Sequence, residues 1–329
     1  MKYTLLSYFL CLSYLLSAQT QIATDWEKDK LVGEVQSIMH KQYKVIDKEM
    51  QLDRNWQTTY NQTGGKLEEQ LFVNDTSIII QRCEYGDFQT KGNEWIYEDD
   101  GETIVFEITR MYFGDSLLKM QITKQPNGNS MEEIRHYQNN SLTQRTIAKS
   151  FNYEQASLDI ENYENDIIVN KERISYYGLS ESKLFSTYVY DDEQLISEKL
   201  MDNTKTLRIH NTYTYHKNGK VKAIIVKGLK KGKMVTQYEH TFQYNKKAKL
   251  IAETKTTYSS PTTATKIENT FDKYGNITSI ISYSEAGRIN EATYFDYDYD
   301  KKGNWLEKRT LRGEQKQLVE KIERVIQYY

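Results

Sequence analysis

Phe295-Asp-Tyr-Asp-Tyr-Asp-Lys-Lys-Gly-Asn-Trp305 is the stretch on which the fold turns. Phe295, Tyr297 and Tyr299 alternate with Asp296, Asp298 and Asp300, so a strand puts every aromatic on one face and every carboxylate on the other. Gly303 then sits where a short hairpin loop needs a left-handed residue, and Trp305 opens the return strand. The same pattern occurs several times upstream. Tyr215-His-Lys-Asn-Gly219-Lys-Val221, Tyr244-Asn-Lys-Lys-Ala248-Lys-Leu250 and Phe271-Asp-Lys-Tyr-Gly275-Asn-Ile277 repeat it, and Tyr190-Asp-Asp-Glu-Gln-Leu195 is a looser copy. The copies recur about every 25 to 29 residues, a repeat-protein period.

The N-terminal half is less regular but of the same kind. Ile104, Phe106 and Ile108 alternate along one predicted strand, and Tyr60-Asn-Gln-Thr-Gly-Gly65-Lys-Leu67 and Tyr137-Gln-Asn-Asn-Ser-Leu142 are degenerate turns. Gln125 to Ser130 is the strongest single break. The organisation expected is a leader over 1–19, degenerate hairpins over 20–126, and regular repeats over 127–329, continuous with the hairpins before them. Residues 25 to 50 fit either an amphipathic helix through Leu31, Val35, Ile38 and Gln42 or a pair of strands, and strands are expected.

Composition agrees with an all-β chain. Hydrophobic residues make up 38% of 329, mean hydropathy is −0.76, and there are 27 tyrosines but only 2 prolines. Tyrosine suits a surface that is buried on one side and wet on the other, and proline would interrupt pairing ladders. A net charge of −2 gives no global attraction to nucleic acid or to anionic membrane. Lys2, the apolar run Leu5 to Leu16 and the small residues Ser17 and Ala18 read as a cleaved export signal, and no membrane-spanning segment is expected in the mature chain. Cys11 would leave with the leader, so Cys83 is expected as a lone buried thiol.

The turn Tyr299-Asp-Lys-Lys-Gly303-Asn304 and its relatives resemble the YD repeats of the Rhs family, over about Tyr190 to Tyr329. Leu31-Val-Gly-Glu-Val-Gln-Ser-Ile38 resembles the first strand of exported Rhs-like proteins of Gram-negative bacteria. The resemblance implies one long sheet of antiparallel hairpins that curls or spirals, in the periplasm or outside the cell. The chain is shorter than the Rhs shells that enclose a toxin, and its prolines, Pro126 and Pro261, form no Asp-Pro cleavage motif. A toxin role is therefore not expected.

Candidate chemistry is sparse. Asp296, Asp298, Asp300 and Glu307 have the spacing of calcium-loop ligands, but Lys301 replaces the glycine that gathers such a loop. A strand would instead space the carboxylates by about 6.5 Å. His40, His136, His210, His216 and His240 show no metal spacing. Lys227, Lys230, Lys231 and Lys233 form a basic hairpin tip, read as solubilising. Tyr213, Tyr215, Tyr297 and Tyr299 are candidates for stacking on a ligand, or else pack on aromatics of neighbouring hairpins. The function expected is a non-enzymatic scaffold or binding surface for an unknown protein or glycan, with no cofactor. The alternatives are glycan binding or a hydrolase using two carboxylates roughly 5 to 9.5 Å apart.

Overall fold

The computed structural model describes residues 25–73, 76–85, 91–113, 117–152, 154–177 and 180–329; the leader expected over 1–19 falls outside the described residues. One helical turn, α1 (Asp25–Lys28), precedes 22 strands. They are β1 (Val35–Ile46), β2 (Glu49–Tyr60), β3 (Lys66–Val73), β4 (Thr76–Tyr85), β5 (Lys91–Tyr97), β6 (Ile104–Phe113), β7 (Leu117–Lys124), β8 (Ser130–Gln138), β9 (Ser141–Phe151), β10 (Glu154–Glu164) and β11 (Ile167–Tyr177) in the first half. The second half holds β12 (Ser180–Asp191), β13 (Gln194–Asp202), β14 (Leu207–Tyr215), β15 (Val221–Lys230), β16 (Lys233–Tyr244), β17 (Leu250–Ser260), β18 (Thr263–Phe271), β19 (Ile277–Tyr283), β20 (Ile289–Tyr299), β21 (Trp305–Arg312) and β22 (Gln317–Tyr328).

Each strand pairs antiparallel with the next, and β22 pairs antiparallel with β1. The expected antiparallel hairpins are therefore present, but the open, curled sheet is corrected: it closes into a 22-stranded barrel. Closure removes the two edges that an open sheet would leave unpaired. Within residues 25–50, where strands are expected, 35–46 and 49–50 belong to the pair β1–β2, but 25–28 is a helical turn. The break at 125–129 is a turn joining β7 to β8 within the same sheet.

The repeat runs through the whole ring. Every even-numbered strand carries an aromatic at its last or next-to-last position: Tyr60, Tyr85, Tyr112, Tyr137, Tyr163, Tyr190, Tyr215, Tyr244, Phe271, Tyr299 and Tyr328. Pairing with the following strand slips at each of the first ten of them, for example between Thr214 and Tyr215 opposite Val221. A bulge of this kind bends the strand and increases its twist, and it swings the ring towards the neighbouring turn. Five of the tyrosine hydroxyls then donate to a carbonyl at the start of the preceding odd strand. Tyr85 reaches Lys66 O at 2.8 Å, Tyr190 reaches Ile168 O at 2.8 Å and Tyr215 reaches Leu195 O at 2.7 Å.

Among the described residues, the turns after these aromatics come in two kinds. Five-residue turns such as 216–220 carry a left-handed residue at their fourth position, as at Gly219, Gly275 and Gly303 with φ of 78°, 85° and 96°. Ala248 occupies the same position at φ 57°, where its Cβ costs about 1 kcal/mol. Two-residue turns such as Asn165-Asp166 hold both residues left-handed and need no glycine.

The two most buried apolar side chains, Val35 and Ile38, lie at the closure seam. They cluster with Leu31 and Tyr60, against Trp26, Ile326 and Tyr328. A second cluster gathers Leu195, Tyr213, Ile224 and Val226 across β13 to β15. Residues 25–34 clasp the seam at one rim. Asp25 accepts from Lys66 N and pairs with Lys91, while Lys30 donates to Gly275 O and Asn304 is hydrogen-bonded to both N and O of Val32.

Candidate functional site

The two faces of the sheet differ in how their charges are held. On the better-buried inner face, acids and bases alternate from strand to strand as pairs. Arg110 meets Glu94 at 2.9 Å, Arg145 meets Glu133 at 2.9 Å, Lys171 meets Glu161 at 2.7 Å and Arg173 meets Asp159 at 2.7 Å. Burial pushes the Glu133 carboxyl up, but Arg145 and Arg135 outweigh it and hold the group below the usual carboxylate range. Removing one partner would strand a buried charge, so these pairs fix the register of β5 to β11.

The seam breaks this rule. Two cavities lie there, of about 220 Å³ and 260 Å³, with Trp305 forming part of the wall of both. The first is lined by His40, Trp56, Tyr60, Lys66, Glu69 and Arg324, among others. His40 and Trp56 face each other across β1 and β2 and stack at 4.5 Å. The Arg324 guanidinium lies over the Trp305 ring, its carbon 3.4 Å from the ring centre. It makes no ion pair with the described residues, and its Nε is buried without a hydrogen-bond partner. Burial pulls its pKa down to about 10.

Acids are present in this cavity but are already engaged. Asp29 accepts from the Tyr60 hydroxyl at 2.7 Å and lies 4.0 Å from Lys66. Glu69 accepts from Thr58 at 3.1 Å and lies 3.6 Å from the same ammonium. The second cavity is lined by Phe295, Tyr297, Trp305, Asn276, Ile277 and two lysines, Lys30 and Lys308, with no acid. Lys308 sits 4.7 Å above the Phe295 ring. Burial holds its pKa below the ordinary lysine value, and Arg324 adds to this against an opposing pull from Glu320.

The sequence-predicted residues fall into three groups. Tyr297 lines the second cavity, and its hydroxyl is fixed on Ile277 O at 3.0 Å. Tyr299 lies beside it and reaches back to Asp272 and Asn276 of the preceding turn. Tyr213 and Tyr215 are packed in the second core cluster, in keeping with the alternative role of those rings. Asp296 and Asp298 project from the outer face; Asp298 is paired with Arg309 at 3.1 Å. Asp300 is turned into its own loop, where it accepts from Lys302 N and Asn304 N. Among the described residues no group of three His, Cys, Asp or Glu side chains could hold a metal ion. Cys83 is buried, and burial pushes its thiol up to about 11. Lys308 and Arg324 do not stand out in the sequence, and Trp305 does so only as the start of a return strand; the one available signal is alternation, which puts Arg324 on the same face as Ile322 and Ile326.

No protein-family model matches the chain, and no curated protein matches it. Among solved structures it is similar to TcdB2-TccC3, at 12% identity and a TM-score of 0.31, over 82% of this chain and 19% of that one. It is also similar to porin-like proteins from Bacteroides uniformis ATCC 8492 (11% identity, TM-score 0.30, 90% of this chain and 99% of that one) and Bacteroides vulgatus ATCC 8482 (8%, 0.26, 88% and 97%). The chain thus spans about a fifth of TcdB2-TccC3. Likenesses at these TM-scores carry no argument about family or activity.

Proposed function

We propose that the protein is an exported, non-enzymatic binding protein. Its barrel is the scaffold, and the paired cavities about Trp305 are the ligand seat. One observation carries this reading: the inner-face cations of β5 to β11 are paired with acids, whereas Arg324 and Lys308, beside the two cavities, have no acid in contact among the described residues. An unpaired buried charge costs stability, and binding sites are where such a cost is kept. The aromatic walls supply the apolar contact that small-molecule sites use.

The outer face supports water on that side too. Asp298, Arg309, Glu307, Lys321 and Glu323 form a ladder of ion pairs at 2.7 to 3.1 Å across β20, β21 and β22, closed by the Tyr43 hydroxyl on β1. Lysine or arginine facing lipid near the midplane costs about 2–4 kcal/mol each, so this face suits an aqueous compartment such as the periplasm. Among the described residues no helix is long and apolar enough to cross a membrane.

Two of the four tryptophans, Trp56 and Trp305, line the seat, so their emission reports occupancy. A panel of small sugars and organic acids is titrated against the full chain and against Trp305→Phe. Saturable quenching that is lost in the variant, with the ligand recovered chemically unchanged, supports the reading. Turnover of the ligand would overturn the non-enzymatic assignment and bring back the hydrolase.

A further inference from the structure

Resting on that seat, we infer that its ligand is a small organic carboxylate, held by Arg324 and lying with its ring against Trp305, with Lys308 in reach of a second anionic oxygen. The donor set selects the charge. The two linings hold four cations against two acids, Asp29 and Glu69, and both acids lie against Lys66, which leaves Arg324, Lys30 and Lys308 with no acid in contact. Lys30 is spent on the Gly275 carbonyl at 2.8 Å. Arg324 and Lys308 make neither an ion pair nor a hydrogen bond with the described residues.

The geometry of Arg324 narrows the class further. Its flat face is taken up by Trp305, so its N–H groups point outward in the plane of the guanidinium. A carboxylate takes two parallel N–H bonds from such an edge. A neutral ligand would leave the cation uncompensated. The cavities, about 220 and 260 Å³ and both open on one side, are smaller than the roughly 300–1,000 Å³ of sites for drug-sized ligands, so a single ring fills either one. A sugar acid and an aromatic acid share this chemistry.

The test compares glucuronate, benzoate and glucose as probes of tryptophan emission, on the full chain. Glucuronate or benzoate is expected to bind and glucose is not; the tighter of the two acids tells a sugar acid from an aromatic acid. Arg324→Gln should weaken the acid by roughly tenfold to a hundredfold, the worth of a charge-assisted bond, and Arg324→Lys should restore only part of it. The melting midpoint of Arg324→Gln should stay close to that of the parent, because the lost stack on Trp305 is offset by removal of a half-buried charge with no acid in contact. If Arg324→Gln does not fold, Lys308→Gln takes its place, with a weakening of roughly tenfold expected. Glucose binding as tightly as glucuronate, or acid binding unmoved by these substitutions, overturns the carboxylate inference and leaves the seat standing. No response to any probe overturns both.

Discussion

His40 shows what a single residue at the seam contributes. It is 6% exposed, stacked on Trp56, and faces Arg324 across the β1–β22 pairing. Burial first, then the charges of Arg324 and Lys66, pull its pKa from 6.5 down to about 3. Below pH 6.5 the unfolded chain takes up a proton that the folded chain refuses. The contribution of His40 is therefore complete above pH 6.5 and declines by up to about 1.4 kcal/mol per pH unit until pH 3. Asp25 and Glu253 do not interfere over most of this range. For both, burial raises the pKa, but hydrogen bonds and nearby cations hold it at about 2, so their contribution is lost only as pH falls below the ordinary carboxylate range towards 2. Urea midpoints at pH 7.5, 6.0 and 5.0 should fall steadily in the wild type and much less in His40→Gln. Equal slopes would mean that the ring is not held neutral. Little of this was legible in the sequence. His40 and Arg324 lie near opposite ends of the chain and meet only through the seam register, which no local pattern encodes. Tyr297, by contrast, is legible because its strand alternates so cleanly.

At the scale of the hairpin, the Tyr-Asp-x-x-Gly-Asn signature has a mechanical basis. Asp272 Oδ1 accepts from Tyr274 N and Asn276 N and so shapes its own turn, while its other oxygen accepts the hydroxyl of Tyr299 in the next repeat. Asn276 donates to the same hydroxyl at 2.9 Å. Asp300, Asn304 and Tyr328 repeat the arrangement. The tyrosine thus belongs energetically to two repeats at once. The regular C-terminal copies were legible because glycine marks their corners. The copy at Tyr163 was not, because Asn165-Asp166 turns the chain in two left-handed residues without glycine. Phe271 is the one position in the series without a hydroxyl. It lies one repeat after Tyr244, whose partner Leu250 opens β17, as Tyr215 lies one repeat after Tyr190, whose partner Leu195 offers its carbonyl to the Tyr215 hydroxyl. Phe271→Tyr should therefore add one inter-repeat bond and raise stability by about 1 kcal/mol, read as a shift in urea midpoint at unchanged slope. An unchanged or lower midpoint would show that the hydroxyl finds no acceptor there.

The closure belongs to the whole molecule. It is illegible in the sequence because β1 and β22 are ordinary amphipathic strands at opposite ends of the chain, and pairing between ends leaves no periodic trace. Yet the junction has the form of every other repeat. Tyr328 lies opposite Val35 with a slip before Ser37, as Tyr215 lies opposite Val221 with a slip after Thr214. The Tyr329 amide donates to Glu34 O at 3.0 Å, so the clasp stands where a turn would be. The Val35 carbonyl, which a tyrosine hydroxyl would take in other copies, accepts instead from the Trp26 indole at 2.9 Å, which frees Tyr60 for Asp29.

If the seam is one more repeat junction, the position of the chain ends is incidental and the pairing is what matters. A circular permutant tests this directly. Tyr329 is joined to Asp25 through a flexible Gly-Ser linker, and new ends are opened at Lys231-Gly232, where a Cβ on the glycine would meet nothing within 4 Å. The permutant keeps every strand pair, cutting only a two-residue turn at an exposed tip, so it should unfold cooperatively within about 1 kcal/mol of the parent. A chain ending at Lys316 lacks β22. It loses the pairings to both β21 and β1, uncovers Val35 and Ile38, and exposes two sheet edges. That chain should lose far more than about 1 kcal/mol and tend to associate through those edges. Strand content by circular dichroism, urea midpoints and sedimentation separate the cases. A truncated chain as stable and monomeric as the parent would mean that the ring is not held by its seam.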